Sequence, residues 1–329
     1  METQLSTLIR GERVDGKNVF IESMSLNTAK NGKEFLNLKL RDKGSSVDAK
    51  LWGYSPLEYG WIKEGTVVLV HGKMDEYNGN KQLIIDEMFL SHAPASDFQK
   101  STRFDITEMW ENILNTAKEI EEPLAKFLCG EILLSQPAMV EAFKSAPAAK
   151  KMHNAWYGGL LEHTNAMCEF GKVVVKHYQK YNKNVSLSKV LFGIIMHDLG
   201  KVIEYDFKTP AYNLSSDGLL VTHLIIGPAW IYNKGIQAIP HFIPTEFKTQ
   251  SEFKTELYQL MHIVASHHGK LEWGSPVVPS SLEALIVHNL DLLDSRLMHA
   301  IELIEGKSGP VPHFSEKSFF EGVAFFNYN

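Results

Sequence analysis

In the second half of the chain, imidazole and carboxylate groups recur on segments that otherwise read as buried. LLEHTNAMCEF puts His163 in register with Leu160, Met167 and Phe170, on the apolar stripe rather than the wet one. GIIMHDLGK (193–201) runs from an apolar stretch straight into His197 and Asp198, with Gly200 as the expected helix stop. His223 opens HLIIGPAW, and ELYQLMHIVASHHGK ends in His267 and His268 before another stop, Gly269. SLEALIVHNLDLLDSR carries His288, Asp291 and Asp294 at three-residue spacing along one face. Any one of these, taken alone, is an ordinary core histidine or capping carboxylate. Together they are hard to read that way. Buried imidazoles and carboxylates without partners are costly, and a metal ion satisfies all of them at once. Nitrogen and oxygen donors without thiolates point to a hydrolytic divalent site (manganese, iron, zinc, magnesium or cobalt) rather than structural zinc.

The elements that must hold these groups change character along the chain. Residues 1–95 read as strands and turns. In FLNLKL (35–40), Leu36, Leu38 and Leu40 face one way, and Phe35, Asn37 and Lys39 the other. VDAKLW (47–52) alternates likewise, with Lys50 and Trp52 outward. TVVLVHGKM and YNGNKQLIID add a β-branched strand and an Asn-Gly turn leading into another, so a small closed barrel is expected. Residues 96–104 lie in a polar, turn-rich stretch that reads as a linker. From Asp105 the period becomes helical, with Ile106, Met109, Trp110, Ile113 and Leu114 on one face, and 105–305 reads as an all-α domain. Asp105 and Thr107 are candidate caps, and Pro123 a helix start. The tail, 306–329, is rich in Gly and Pro, then aromatic; packing on the body or on a partner both remain open.

Composition sets the outer bounds. At 329 residues two domains are the natural prior, and 44% hydrophobic with 22% charged residues suits a soluble globular chain. A net charge of −6 excludes a uniformly basic nucleic-acid binder but not a locally basic groove. Cys129 and Cys168 make no disulfide framework, which fits a reducing cytoplasm. No apolar run reaches signal-peptide or bilayer-spanning length, so no membrane association is expected.

The order His163, His197-Asp198, His223, His267-His268, Asp291 resembles the HD superfamily of metal-dependent phosphohydrolases. GGLLEH (158–163), HDLGK (197–201), HHGKLEWGSP (267–276) and EALIVHNLDLLD (283–294) narrow the resemblance to the YhaM-type 3′→5′ exoribonucleases, which join an OB-fold to an HD domain. NGKEFLNLKLRDK (31–43) and AKLWGYSP (49–56) extend it through the barrel. The resemblance implies a first metal held by His163, His197, Asp198 and Asp291, and a second, bridged by Asp198, on His223 and His267. His268 is an alternative to His267. Asp294 is a second choice to Asp291, with a solvated or capping carboxylate as its ordinary reading.

Two divalent ions, manganese first, would activate water against a phosphodiester, with Asp198 at the centre. Lys201 would reach a phosphate, or else stabilise a helix end, and His268 would protonate the leaving group, with core packing as the alternative. Lys151 and His153 are candidates for the entrance, with a solvated turn as the alternative. On the barrel, Phe35, Lys39, Lys50 and Trp52 share the face opposite the leucines, and Tyr77 and Lys81 flank the Asn-Gly turn. Rings and cations on an open OB face suit single-stranded nucleic acid, although packing on the helical domain is the competing role for Phe35 and Trp52. The expected activity is 3′→5′ cleavage of single-stranded RNA, with DNA as a further substrate; the polarity is implied by the resemblance alone. Two other readings are an HD phosphodiesterase for small nucleotides and a non-catalytic single-strand binder. A homo-oligomer is compatible with all three.

Overall fold

A computed structural model describes residues 4–29, 31–42, 45–77, 79–150, 154–206, 212–306 and 313–327. The chain forms two compact units: one runs to Lys100 and takes in Tyr212, and the other holds the remaining residues from Ser101 onward.

The first unit is built from β1 (Arg13–Thr28), β2 (Glu34–Arg41), β3 (Ser46–Trp52), a short helix α1 (Pro56–Tyr59), β4 (Val67–Tyr77) and β5 (Asn80–Leu90). The strands close in the order β1-β2-β3-β5-β4, with β4 returning to β1, and only the β3–β5 pairing is parallel. This is the OB-fold barrel. The alternation read from the sequence sets its lining: Leu36, Leu38, Leu40, Val47, Ala49 and Leu51 are buried inside, while Lys39 and Trp52 point out. Closure leaves no long edge strand exposed. Of the stretch expected to be a linker, Ala95–Phe98 is a turn of 3-10 helix whose Phe98 is buried against Phe20 and Val67.

The second unit is largely helical. It comprises α2 (Ile106–Lys118), α3 (Pro123–Cys129), α4 (Pro137–Ser145), α5 (Gly159–Tyr178), α6 (Leu187–Met196) and α7 (Lys201–Glu204). A small ribbon of β6 (Tyr205–Asp206) and β7 (Asn213–Leu214) precedes α8 (His223–Phe242), α9 (Gln250–Ala265), α10 (Leu282–Gly306) and a hairpin of β8 (His313–Lys317) and β9 (Ala324–Asn327). Asp105 caps α2 by accepting the Thr107 and Glu108 amides, and Pro123 opens α3. The tail hairpin packs on α10, which settles one of the two placements left open for it. No helix among the described residues is long and apolar enough to cross a membrane.

Helix α6 is the hub of this unit. Val190 to Met196 are all buried, and α5, α9 and α10 pack around it. Three expectations change here. Phe170 does not share the buried stripe of His163; it is 46% exposed, and the neighbouring Gly171 instead faces Ile194 and Val190 of α6 and Leu290 of α10. Gly200 is not a left-handed stop, since its φ is −61° and it leads directly into α7. It is glycine for another reason: a Cβ there would lie 2.8 Å from the His223 Cα. Gly269 is not the stop either: α9 ends at Ala265 with Ser266 as its C-cap, and the glycine's positive φ (+80°) turns the chain after His267 and His268.

Candidate metal centre and nucleic-acid face

The helix ends carry the polar groups to one point. His163 projects from the second turn of α5, His197 and Asp198 follow the last turn of α6, and His223 is the first residue of α8. His267 and His268 come just after α9, and Asp291 and Asp294 lie within α10. His163, His197, Asp198, His223 and His267 are buried.

The two oxygens of Asp198 face two groups of nitrogens. Its Oδ2 lies 3.3 Å from His197 Nε2 and 4.0 Å from His163 Nε2, and Asp291 Oδ1 closes that side at 3.4 Å from His163 Nε2. Its Oδ1 lies 3.4 Å from His223 Nε2 and 3.5 Å from His267 Nε2. The rings of His267 and His223 also adjoin that of His268, at centroid distances of 4.7 and 5.2 Å. His163, His197 and Asp198 form one set able to hold a metal ion, and His223, His267 and His268 another.

Each ring is fixed from behind by its Nδ1. His197 donates to the Ile194 carbonyl (2.7 Å), His267 to the Val264 carbonyl (2.6 Å) and His268 to the Trp273 carbonyl (3.0 Å). A carbonyl oxygen can only accept, so these three rings carry hydrogen on Nδ1 and present a lone pair on Nε2. His163 Nδ1 meets Asp294 Oδ2 at 2.6 Å, and His223 Nδ1 meets Glu204, which also accepts the His223 amide at 2.8 Å. Asp294 is therefore neither a cap nor a solvated carboxylate: it is buried and orients His163. Asp198 Oδ1, His223 Nε2 and His267 Nε2 have no hydrogen-bond partner among the described residues. Buried lone pairs aimed at one another are unfavourable unless a cation lies between them, so the donor set fits divalent metal.

With no cation between them, these groups set one another's ionisation. Burial would raise the Asp198 carboxyl, but Lys201, His197 and His267 outweigh it and hold the group well below the usual carboxylate range. Burial likewise opposes ionisation of Asp291, and His163 and His197 overcome it. Burial works against the charged form of His163, yet Asp291 and Asp294 raise its pKa to about 10. Burial chiefly depresses His223, His267 and His268, keeping those rings neutral.

Lys201 is buried, with its ammonium 2.6 Å from Asp198 Oδ2 and 2.6 Å from the Ala148 carbonyl. That ties it to the carboxylate rather than to a helix end. His288 stands apart, donating Nδ1 to the His267 carbonyl at 2.7 Å. Lys151 and His153 lie outside the described residues. Sequence reasoning missed Glu204. A buried histidine demands an Nδ1 acceptor, which signals that some such group exists, but no spacing singles out residue 204.

On the barrel, Phe35 and Trp52 pair across β2 and β3 with ring centroids 4.5 Å apart. The Lys50 ammonium lies 5.7, 5.6 and 5.2 Å from the rings of Phe35, Trp52 and Tyr77. Trp52 is 48% exposed and Tyr77 61%, so these rings stand in solvent on the outer face of the barrel. Lys39 is exposed opposite Asp48 in the register. Lys81 does not join the cluster: its ammonium donates to the Ser6 carbonyl at 2.8 Å. An exposed ring cluster around a cation is what sequence-tolerant stacking of single strands requires.

Comparison with known proteins bears on both units. Residues 14–90 match the family described as OB-fold nucleic acid binding domain. The 3′-5′ exoribonuclease YhaM of Geobacillus sp. (strain WCH70) is 33% identical over 292 residues, covering 87% of this chain and 83% of its own. That of Oceanobacillus iheyensis is 30% identical over 97% of this chain and 95% of its own, and that of Listeria monocytogenes serotype 4b (strain CLIP80459) 31% identical over 99% of both.

Proposed function

The chain belongs to the family of YhaM 3′-5′ exoribonucleases, and from that premise we propose that it hydrolyses single-stranded RNA from the 3′ end with two divalent ions. The observation that carries the metal reading is the division of Asp198, with one oxygen toward His163, His197 and Asp291 and the other toward His223 and His267. One ion falls to the first group. The second falls to Asp198 Oδ1, His223, His267 and His268. His268 serves as a ligand rather than as a general acid: with its Nδ1 hydrogen on the Trp273 carbonyl and burial disfavouring the cation, Nε2 carries a lone pair and no proton to give. Divalent ions bound there, manganese being the first choice, lower the pKa of a water and neutralise phosphate charge.

The chain's own groups prepare that chemistry. Lys201 keeps Asp198 ionised and oriented, while Asp294 and Glu204 aim His163 and His223. No cysteine competes as nucleophile: Cys129 and Cys168 are buried, and burial pushes both thiols up to about 12. The rings around Lys50 on the OB unit hold the strand, and the unpaired cysteines accord with work in a reducing cytoplasm.

The test is 5′-labelled single-stranded RNA incubated with the full chain and a series of divalent metals. Stepwise shortening from the 3′ end is expected, stopped by chelator and reduced at least about 1,000-fold by Asp198→Ala. Intact RNA beside hydrolysis of a small phosphodiester would replace this reading with a nucleotide phosphodiesterase.

A further inference from the structure

The segment HHGKLEWGSP does more than supply His267 and His268. After Gly269 the chain makes one turn of 3-10 helix, Leu271–Trp273, and leaves it through Gly274 at φ +84°. The turn is pinned at both ends. The Trp273 amide donates to the Lys270 carbonyl at 3.0 Å, and the Ser275 amide reaches the same carbonyl at 3.2 Å. Ser275 is buried, and its hydroxyl bonds the carbonyls of Ala265 and Val277 at 3.3 and 2.7 Å. The Trp273 carbonyl is engaged as well, by His268.

With its backbone so fixed, the Trp273 side chain is held in place but not fully enclosed. The indole is 39% exposed, tilted 43° against the His288 ring at a centroid distance of 6.3 Å. The Lys270 ammonium stands 4.4 Å from its centroid and 3.5 Å from Glu272 Oε1, in an ion pair whose two side chains are 56% and 70% exposed and which a phosphate can displace. Trp273 keeps about two fifths of its surface in water, so part of its apolar area is open to a ligand. The arrangement repeats, in the helical unit, the ring-and-ammonium pairing of Lys50 with Phe35, Trp52 and Tyr77. Here, however, it adjoins the candidate metal centre, because the residue whose carbonyl holds His268 also carries the ring.

We propose that the Trp273 indole, with Lys270 over it, is a stacking platform for a nucleobase next to the scissile phosphate. The proposal rests on the nuclease reading above and adds to it where the reacting nucleotide is gripped. A base stacks on the exposed indole, and the ammonium follows the neighbouring phosphate. Any base offers a π face, so the platform fixes the nucleotide without selecting sequence.

A cycle of two changes tests it in the full chain. Trp273→Ala is assayed on a single-stranded RNA oligomer and on the same oligomer lacking one base, at the 3′-terminal, the penultimate or an internal nucleotide. On intact RNA, kcat/KM falls about fivefold to 100-fold, the loss typical of one stacked base. On the oligomer abasic at the terminal or penultimate nucleotide, Trp273→Ala costs nothing further, and Trp273→Phe restores most of the loss on intact RNA. Losses that simply multiply at both end positions, or coupling at the internal nucleotide alone, overturn the platform. Wild-type chain that leaves all the RNA intact would instead overturn the nuclease reading itself.

Discussion

The metal centre and the outer face of the barrel use rings and charges under opposite conditions. In the helical unit His163, His197, His223 and His267 are buried, and each ring has its Nδ1 engaged from behind, so its Nε2 has one direction in which to point. On the barrel, Trp52 and Tyr77 stand in solvent around a lysine, placed by the pleat of the strands, with the Phe35 ring beside Trp52. The buried arrangement depends on every partner, because a single unsatisfied group there costs the full desolvation penalty. The exposed one is graded: each ring adds a share, and salt weakens the cation.

The comparison can be broken first where it is most demanding. Glu204→Gln and Asp294→Asn leave the ligand set intact but loosen the acceptor behind His223 and His163. Each is expected to weaken metal binding about 10-fold to 100-fold, read by calorimetric titration of the chelated protein. Unchanged affinity in both would reduce those carboxylates to packing. Next, Trp52→Ala should lower affinity for single-stranded RNA about fivefold to 100-fold in a binding titration. Metal-dependent hydrolysis of a small phosphodiester should stay unchanged. Loss of that hydrolysis would show that the two regions are not separable.

The mildest effect concerns the thiols, which only the helical unit carries. Burial raises Cys129 and Cys168 to about 12, whereas an unfolded thiol ionises near 8.5. The folded form is therefore favoured fully below the unfolded pKa, and that contribution is lost as pH rises from about 9 toward 12. At pH 8 a thiol reagent should label the protein only as fast as the helical unit opens. Rapid labelling of native protein would contradict the burial.

What the sequence made legible follows from the same contrast. A histidine on an apolar stripe or a tryptophan on the wet side of a strand breaks the local pattern, so His163, His197, Asp198, Trp52 and the barrel's alternation could all be read directly. The supporting acceptors could not. The carbonyls of Ile194 and Val264 hold two rings, yet a carbonyl has no residue identity to read. Glu204 sits next to an ordinary-looking Tyr-Asp pair and meets His223 only because α7 turns back on the start of α8. Lys201 was legible as a cation near the doublet, but its destination was not, since the Ala148 carbonyl is 53 residues away in sequence.

Gly200 gives this architecture an unusual kind of dependence. The position offers no side-chain donor, no charge and no exposed surface, and its backbone is plain right-handed helix. Yet the first residue of α8 lies against it so closely that a single methyl would press on the His223 backbone. What position 200 encodes is a vacancy. A search for essential residues guided by reactive groups would pass over it, while one guided by volume would stop there.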